Sequence, residues 1–111
     1  MLNVNSDGTI QLTRGDTARL EITIKNSLTE EAYDMAPDDV LSFTIKKSVK
    51  DETALVHKES KGANTFHIEP KDTAELSFRT YFYDVQLTRA NGDVYTVIVP
   101  TTFEIMKEVT Y

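Results

Sequence analysis

The chain has 111 residues, no cysteine and no tryptophan, and 18 acidic against 12 basic residues give it a formal net charge of -6. That length suits a single domain over 1–111 with one core, and the missing cysteines exclude disulfides and thiolate metal sites. The negative balance, spread along the chain without a basic stripe, excludes a phosphate-backbone partner and so nucleic acid.

No apolar run reaches the ~20 residues of a membrane span, and the opening Met1-Leu-Asn-Val-Asn-Ser-Asp-Gly8 lacks the basic and apolar parts of a signal peptide. A soluble chain without a signal peptide is the expectation. Leu2 and Val4 precede a turn at Asn5–Gly8, and Ile10 and Leu12 then alternate with polar neighbours as a first short strand. Arg14-Gly15-Asp16 reads as a corner, because Gly15 is free to take a positive φ. The triplet matches the integrin-binding tripeptide, but a turn calls for those residue types anyway. From Thr17 to Lys25, Ala18, Leu20, Ile22 and Ile24 point one way and Arg19, Glu21, Thr23 and Lys25 the other, the period of a half-buried strand.

The stretch 26–39 holds Glu30, Glu31, Asp34, Asp38 and Asp39 and reads as a surface connection, with Tyr33 and Met35 tucked under it. It lacks the oxygen spacing and glycine of a calcium loop. A strand from Val40 to Lys47 places Leu41, Phe43 and Ile45 inward. Segments 55–60 and 65–68 flank Lys61-Gly-Ala-Asn64 and are expected to form a hairpin, with Phe66 and Ile68 in the core. His57 with Glu59 and His67 with Glu69 share strand faces at i, i+2. Each pair lacks a third ligand, so solvated polar positions are expected and no metal or cofactor is called. Pro70–Leu76, good helix formers behind a proline suited to the first turn, predicts one short helical turn.

The C-terminal hairpin carries the strongest pattern. Tyr81, Tyr83, Val85 and Leu87 alternate with Phe82, Asp84, Gln86 and Thr88, and Tyr95, Val97 and Val99 share a parity across Ala90-Asn91-Gly92. A three-residue loop then pairs Leu87 with Tyr95, Val85 with Val97 and Tyr83 with Val99. Pro100 reads as a bulge or bend in a long last strand that continues through Phe103 and Ile105. In this register the outer face gathers Phe82, Val94, Ile98 and Pro100, a candidate protein interface unless the 26–39 connection folds over it. About seven short strands, turn signals at regular spacing and one helical turn predict an all-β fold, an immunoglobulin-like antiparallel β-sandwich, with a closed barrel as the alternative. Tyr81 or Tyr83 is the candidate structural tyrosine whose hydroxyl bonds back to the preceding corner.

No nucleophile–base arrangement, phosphate loop or carboxylate pair stands out, which predicts a non-enzymatic protein. The succession Ile10-x-Leu12-x-Arg14-Gly-Asp-Thr17, Leu20-x-Ile22-x-Ile24, Phe43-x-Ile45-Lys-Lys47, Tyr81-x-Tyr83-Asp-Val-Gln-Leu87 and Phe103-x-Ile105 resembles small β-sandwich domains of tailed bacteriophages and prophages, in particular the N-terminal domain of the phage baseplate upper protein. The resemblance implies a virion structural component of a baseplate or tail, assembled in the bacterial cytoplasm, whose partners are other virion proteins or copies of itself as a homo-oligomer. It transfers no catalytic residue. The chain ends at Tyr111 without the receptor-binding segment that follows in that family, so a stand-alone tail or head component is an equal expectation. A carbohydrate-binding module, using Tyr33, Phe82 or Tyr95 as a platform, is the alternative from a different functional class.

Overall fold

The alternation of Tyr81, Tyr83, Val85 and Leu87 is realised as a strand, β7 (Thr80–Thr88), in which all four residues are buried. A computed structural model describes residues 2–4, 8–25 and 31–107. The turn at Asn5–Asp7, the first part of the 26–39 connection including Leu28 and Glu30, and residues 108–111 lie outside the described residues. The described residues are all-β apart from one four-residue helix, and no helix among them is long and apolar enough to cross a membrane.

Three N-terminal strands, β1 (Leu2–Val4), β2 (Ile10–Thr13) and β3 (Ala18–Glu21), precede β4 (Val40–Lys46), β5 (Val56–Lys61) and β6 (Thr65–Ile68). A helical turn, α1 (Pro70–Thr73), then leads into β7 and the last strand, β8 (Val94–Met106). Six of these form one sheet in the order β1-β2-β8-β7-β4-β5, and β3 pairs with β6 in a second. The pairing of β2 with β8 is parallel, so the larger sheet is mixed rather than purely antiparallel.

Segments 55–60 and 65–68 do not form the expected hairpin. β5 pairs with β4 and β6 with β3, so the chain changes sheets at Lys61–Asn64. Gly62 makes that crossing with φ +72, its N–H donating to the Asp39 carbonyl at 2.8 Å, and a Cβ there would meet the Pro37 carbonyl at 3.1 Å. Beyond Glu21 the ladder to β6 stops, yet Ile22 and Ile24 remain buried. The Asn64 carbonyl accepts from Ile22 N–H and the Asn64 side-chain amide donates to Ile22 C=O, both at 2.8 Å. Through these bonds the alternation read from Thr17 to Lys25 outlasts the regular strand.

The two sheets share one core. Phe43 at its centre is fully buried, and its ring lies 5.5 Å from Phe66 of the smaller sheet, 5.4 Å from Tyr83 and 6.4 Å from Phe103. Offset and edge-on aromatic pairs at these separations add stabilisation beyond their buried area. At the corner before β7, Pro70 occupies the first helical turn and Glu69 N–H donates to Asp72 Oδ2 at 2.8 Å. Lys58 Nζ reaches the same carboxylate at 2.9 Å and ties β5 to that corner. The Tyr81 hydroxyl donates to Ser77 C=O at 3.0 Å, while the Tyr83 hydroxyl donates across to Gly8 C=O at 2.5 Å.

Candidate functional site

The β7–β8 hairpin closes as expected. Gly92 takes φ +95, its N–H donates to Arg89 C=O at 2.9 Å, Arg89 N–H donates to Asp93 C=O at 2.8 Å, and Leu87 lies opposite Tyr95. Past Thr96 the register departs from the expected one. Two irregularities in β8 place Ile98 opposite Val85 and Thr101 opposite Tyr83, where uninterrupted pairing would have put Val97 and Val99. Each inserts one residue on the β8 side, the second at the stretch containing Pro100, whose ring nitrogen has no proton for a ladder.

This shift redistributes the predicted interface residues. Ile98 faces the buried Val85 and packs, with Val97, against the core rather than standing on the outer face opposite Asp84. Phe82 faces Thr102 instead of Pro100, but Phe82 and Pro100 still meet. Together with Thr44, Lys46, Val49, Asp84 and Gln86 they line a depression of about 200 Å³ on the outer face of the larger sheet. That volume is below the usual range for a small-molecule pocket and fits a side chain or two from a partner. Val94 stands apart at the hairpin end, opposite Thr88.

Around the depression the outer face is polar and ordered by cross-strand pairs. Thr9 and Thr102 hydroxyls lie 2.7 Å apart, Gln11 Nε2 donates to Glu104 Oε2 at 2.7 Å, and Thr44 Oγ1 lies 2.8 Å from His57 Nδ1. His57 Nε2 is 3.9 Å from Glu59 Oε1, and both side chains are half exposed. His67 is exposed opposite Arg19 in the other sheet, so the two histidine pairs do not converge. Among the described residues no three metal-ligating side chains gather.

A second feature of β8 lies at its other edge, which the four-residue β2 covers only in part. β2 pairs only with Phe103–Met106 of β8, so from Val94 to Thr102 the strand has, among the described residues, a ladder partner, β7, on one side alone. Val94, Tyr95 and Val99 are 56%, 51% and 67% exposed there. Tyr95 and Val99 were expected inside. Both instead lie where the hairpin has no core to cover them, and the local sequence signal for the change is Pro100, at the second irregularity.

The 31–39 segment packs beside the turn end of this hairpin, away from Phe82. The Tyr33 hydroxyl donates to the Asp39 carboxylate, which also accepts from Ala36 N–H at 3.0 Å, and the Arg89 guanidinium lies 5.7 Å from the centre of the Tyr33 ring. The hydrogen bond to Asp39 lifts Tyr33 above the ordinary phenol range. The bond from Tyr33, then those from Ala36 and Ala90, with the nearby Arg89 charge, hold the Asp39 carboxyl below the ordinary carboxylate range against its desolvation.

Arg14-Gly15-Asp16 is a clamped corner. Arg14 Cζ lies 4.2 Å from the centre of the Phe78 ring, and Gly15 N–H donates to the buried Thr73 hydroxyl at 2.9 Å. Searches against protein-family models, curated proteins and solved structures find no match to this chain.

Proposed function

We propose that this protein is a non-enzymatic contact component, a small β domain that works by binding other protein surfaces through one side of its larger sheet. The observation that carries this reading is the adjacency of the depression, where Phe82, Val49 and Pro100 sit among the polar walls of Thr44, Lys46, Asp84 and Gln86, and the half-paired β8. Interfaces combine an apolar centre with a polar rim in this way, and Phe82 is the anchor residue.

The finer fold reading is an immunoglobulin-like sandwich. Three features support it: a chain that passes repeatedly between two sheets, an N-terminal strand parallel to the last strand, and a tyrosine hydroxyl bonded to the corner four residues before it. The resemblance of the sequence to phage and prophage β-sandwich domains makes a baseplate or tail the proposed setting, with other virion proteins or further copies of the chain as partners.

The test is to measure solution mass and partner retention for the wild type and Phe82→Asp. Association with a defined partner, weakened by the substitution, is expected. A wild-type chain that stays monomeric at high concentration and retains nothing contradicts the proposal. A glycan array addresses the carbohydrate reading: a reproducible saccharide hit that depends on Tyr95 overturns the contact role.

A further inference from the structure

Natural sheets protect their edges by shortness, charge or proline, because an open ladder recruits another strand. Most edges here follow that rule. β1 has three residues and β6 four, β3 carries Arg19 and Glu21, and β5 carries Lys58, Glu59 and Lys61. The open part of β8 does not: it has no charged residue between Asp93 and Glu104 in a chain of net charge -6, and Pro100 interrupts it only at its far end. What remains accessible is Val94-Tyr95-Thr96, strong β-formers next to a tight turn.

The direction of its backbone groups follows from the turn. Arg89 N–H donates to Asp93 C=O, so Arg89–Asp93 is a hydrogen-bonded pair, and antiparallel ladders alternate. Thr88–Val94 and Gln86–Thr96 are therefore the non-bonded pairs, and the N–H and C=O of both Val94 and Thr96 point away from β7 to the open side.

We propose that a second copy of this chain adds to this edge, β8 to β8, antiparallel about a two-fold axis at Tyr95. The proposal deepens the contact role above and rests on it. Val94 of each copy pairs with Thr96 of the other, giving four backbone hydrogen bonds, and the two exposed Tyr95 rings meet at the axis. Isologous pairing is self-complementary: with the free N–H and C=O groups of Val94 and Thr96 placed symmetrically about Tyr95, each copy offers the donors and acceptors that the other lacks, the three paired residues are uncharged, and Asp93, which accepts from the Tyr95 hydroxyl at 3.4 Å, flanks them. Pro100 and the two irregularities limit the pairing to this short segment, so the dimer is weak and concentration-dependent.

Sedimentation velocity over a concentration series, on the wild type, Thr96→Pro, Tyr95→Asp and Phe82→Asp, tests this. The wild type is expected to rise from 12.6 kDa toward about twice that mass. Thr96→Pro removes a donor that β7 does not use, and it is expected to weaken association about tenfold or more. Tyr95→Asp, at an exposed site that leaves the backbone donors intact, is expected to do the same by placing two carboxylates across the axis. Circular dichroism establishes that each variant is folded. Association lost in Phe82→Asp but kept in Thr96→Pro and Tyr95→Asp overturns the edge pairing and leaves the contact role standing. A wild type monomeric throughout overturns the pairing too, and retention of a different partner then decides the contact role separately.

Discussion

If the two sheets close on each other through Phe43 and Phe66, those residues must be energetically coupled although they lie on different sheets. Phe43 is fully buried and Phe66 nearly so, with ring centres 5.5 Å apart and planes tilted by 38°. Replacing either with leucine keeps an apolar side chain but loses ring contacts, at about 1–2 kcal/mol each. At about 0.05–0.15 kcal/mol per residue the whole domain is worth roughly 6–17 kcal/mol, so both single variants and the double variant stay folded in water. Aromatic pairing of this kind contributes about 0.5–1.5 kcal/mol beyond burial, and the double variant should be less destabilised than the sum of the singles by that amount. Urea denaturation followed by far-UV circular dichroism measures it, since the chain has no tryptophan to report. Phe66→Leu combined with Val94→Ala, on the exposed end of the hairpin, should be additive within about 0.5 kcal/mol. Additivity of Phe43→Leu with Phe66→Leu would refute the shared core.

Three further outcomes follow from particular contacts. Gly62→Ala forces a left-handed residue against the Pro37 carbonyl and should lower the urea-derived stability by about 1–2 kcal/mol or more, whereas Gly92→Ala, also left-handed but with open space around it, should cost no more than that strain. Tyr81→Phe removes the bond to Ser77 C=O, an exposed residue that water can serve instead, so the loss should be about 0.5–1.5 kcal/mol in the same denaturation assay. Asp39 and Asp72 both sit below the ordinary carboxylate range in the folded chain. For Asp72, desolvation pushes upward but is outweighed by the Lys58 hydrogen bond, the Glu69 N–H and the charges of Lys58 and Lys71. Carboxyls depressed by folding bind more protons when unfolded, so their stabilisation is full above about pH 4 and is lost as pH falls through the folded values. Urea midpoints should fall between pH 5 and pH 2, and less steeply in Lys58→Met.

How far the sequence disclosed this depended on whether period-2 alternation was the deciding signal. In β7 it was, and Tyr81, Tyr83, Val85 and Leu87 are all inside. In β8 the same parity misled, because an inserted residue is invisible to hydropathy: once Val97 and Ile98 both turn to the core, Val99 emerges on the surface. Pro100 was the one local clue, and it marks the second irregularity. Parity also says nothing about partners. Lys61–Asn64 reads equally well as a hairpin turn or as a crossing between sheets, and the long-range contacts of Phe66 and Ile68 with β3 decide for the crossing. The parallel pairing of β2 with β8 is silent for the same reason, since an alternating strand buries the same residues whichever way its neighbour runs. At the site, Phe82 was legible as a large apolar residue on the wet parity of a strong strand. The Lys46 and Val49 walls of its depression come from β4 and the loop after it, which no spacing along the chain connects to β7.

Amide hydrogen exchange across a protein concentration series bears most directly on the claim that this molecule works through the open edge of β8. Tyr95 N–H, committed to Leu87, should be protected at every concentration. Val94 and Thr96 N–H should exchange fast when the chain is dilute and slow as it becomes concentrated. Fast exchange at Val94 and Thr96 throughout, or equal protection of all three amides in the dilute chain, would contradict the account.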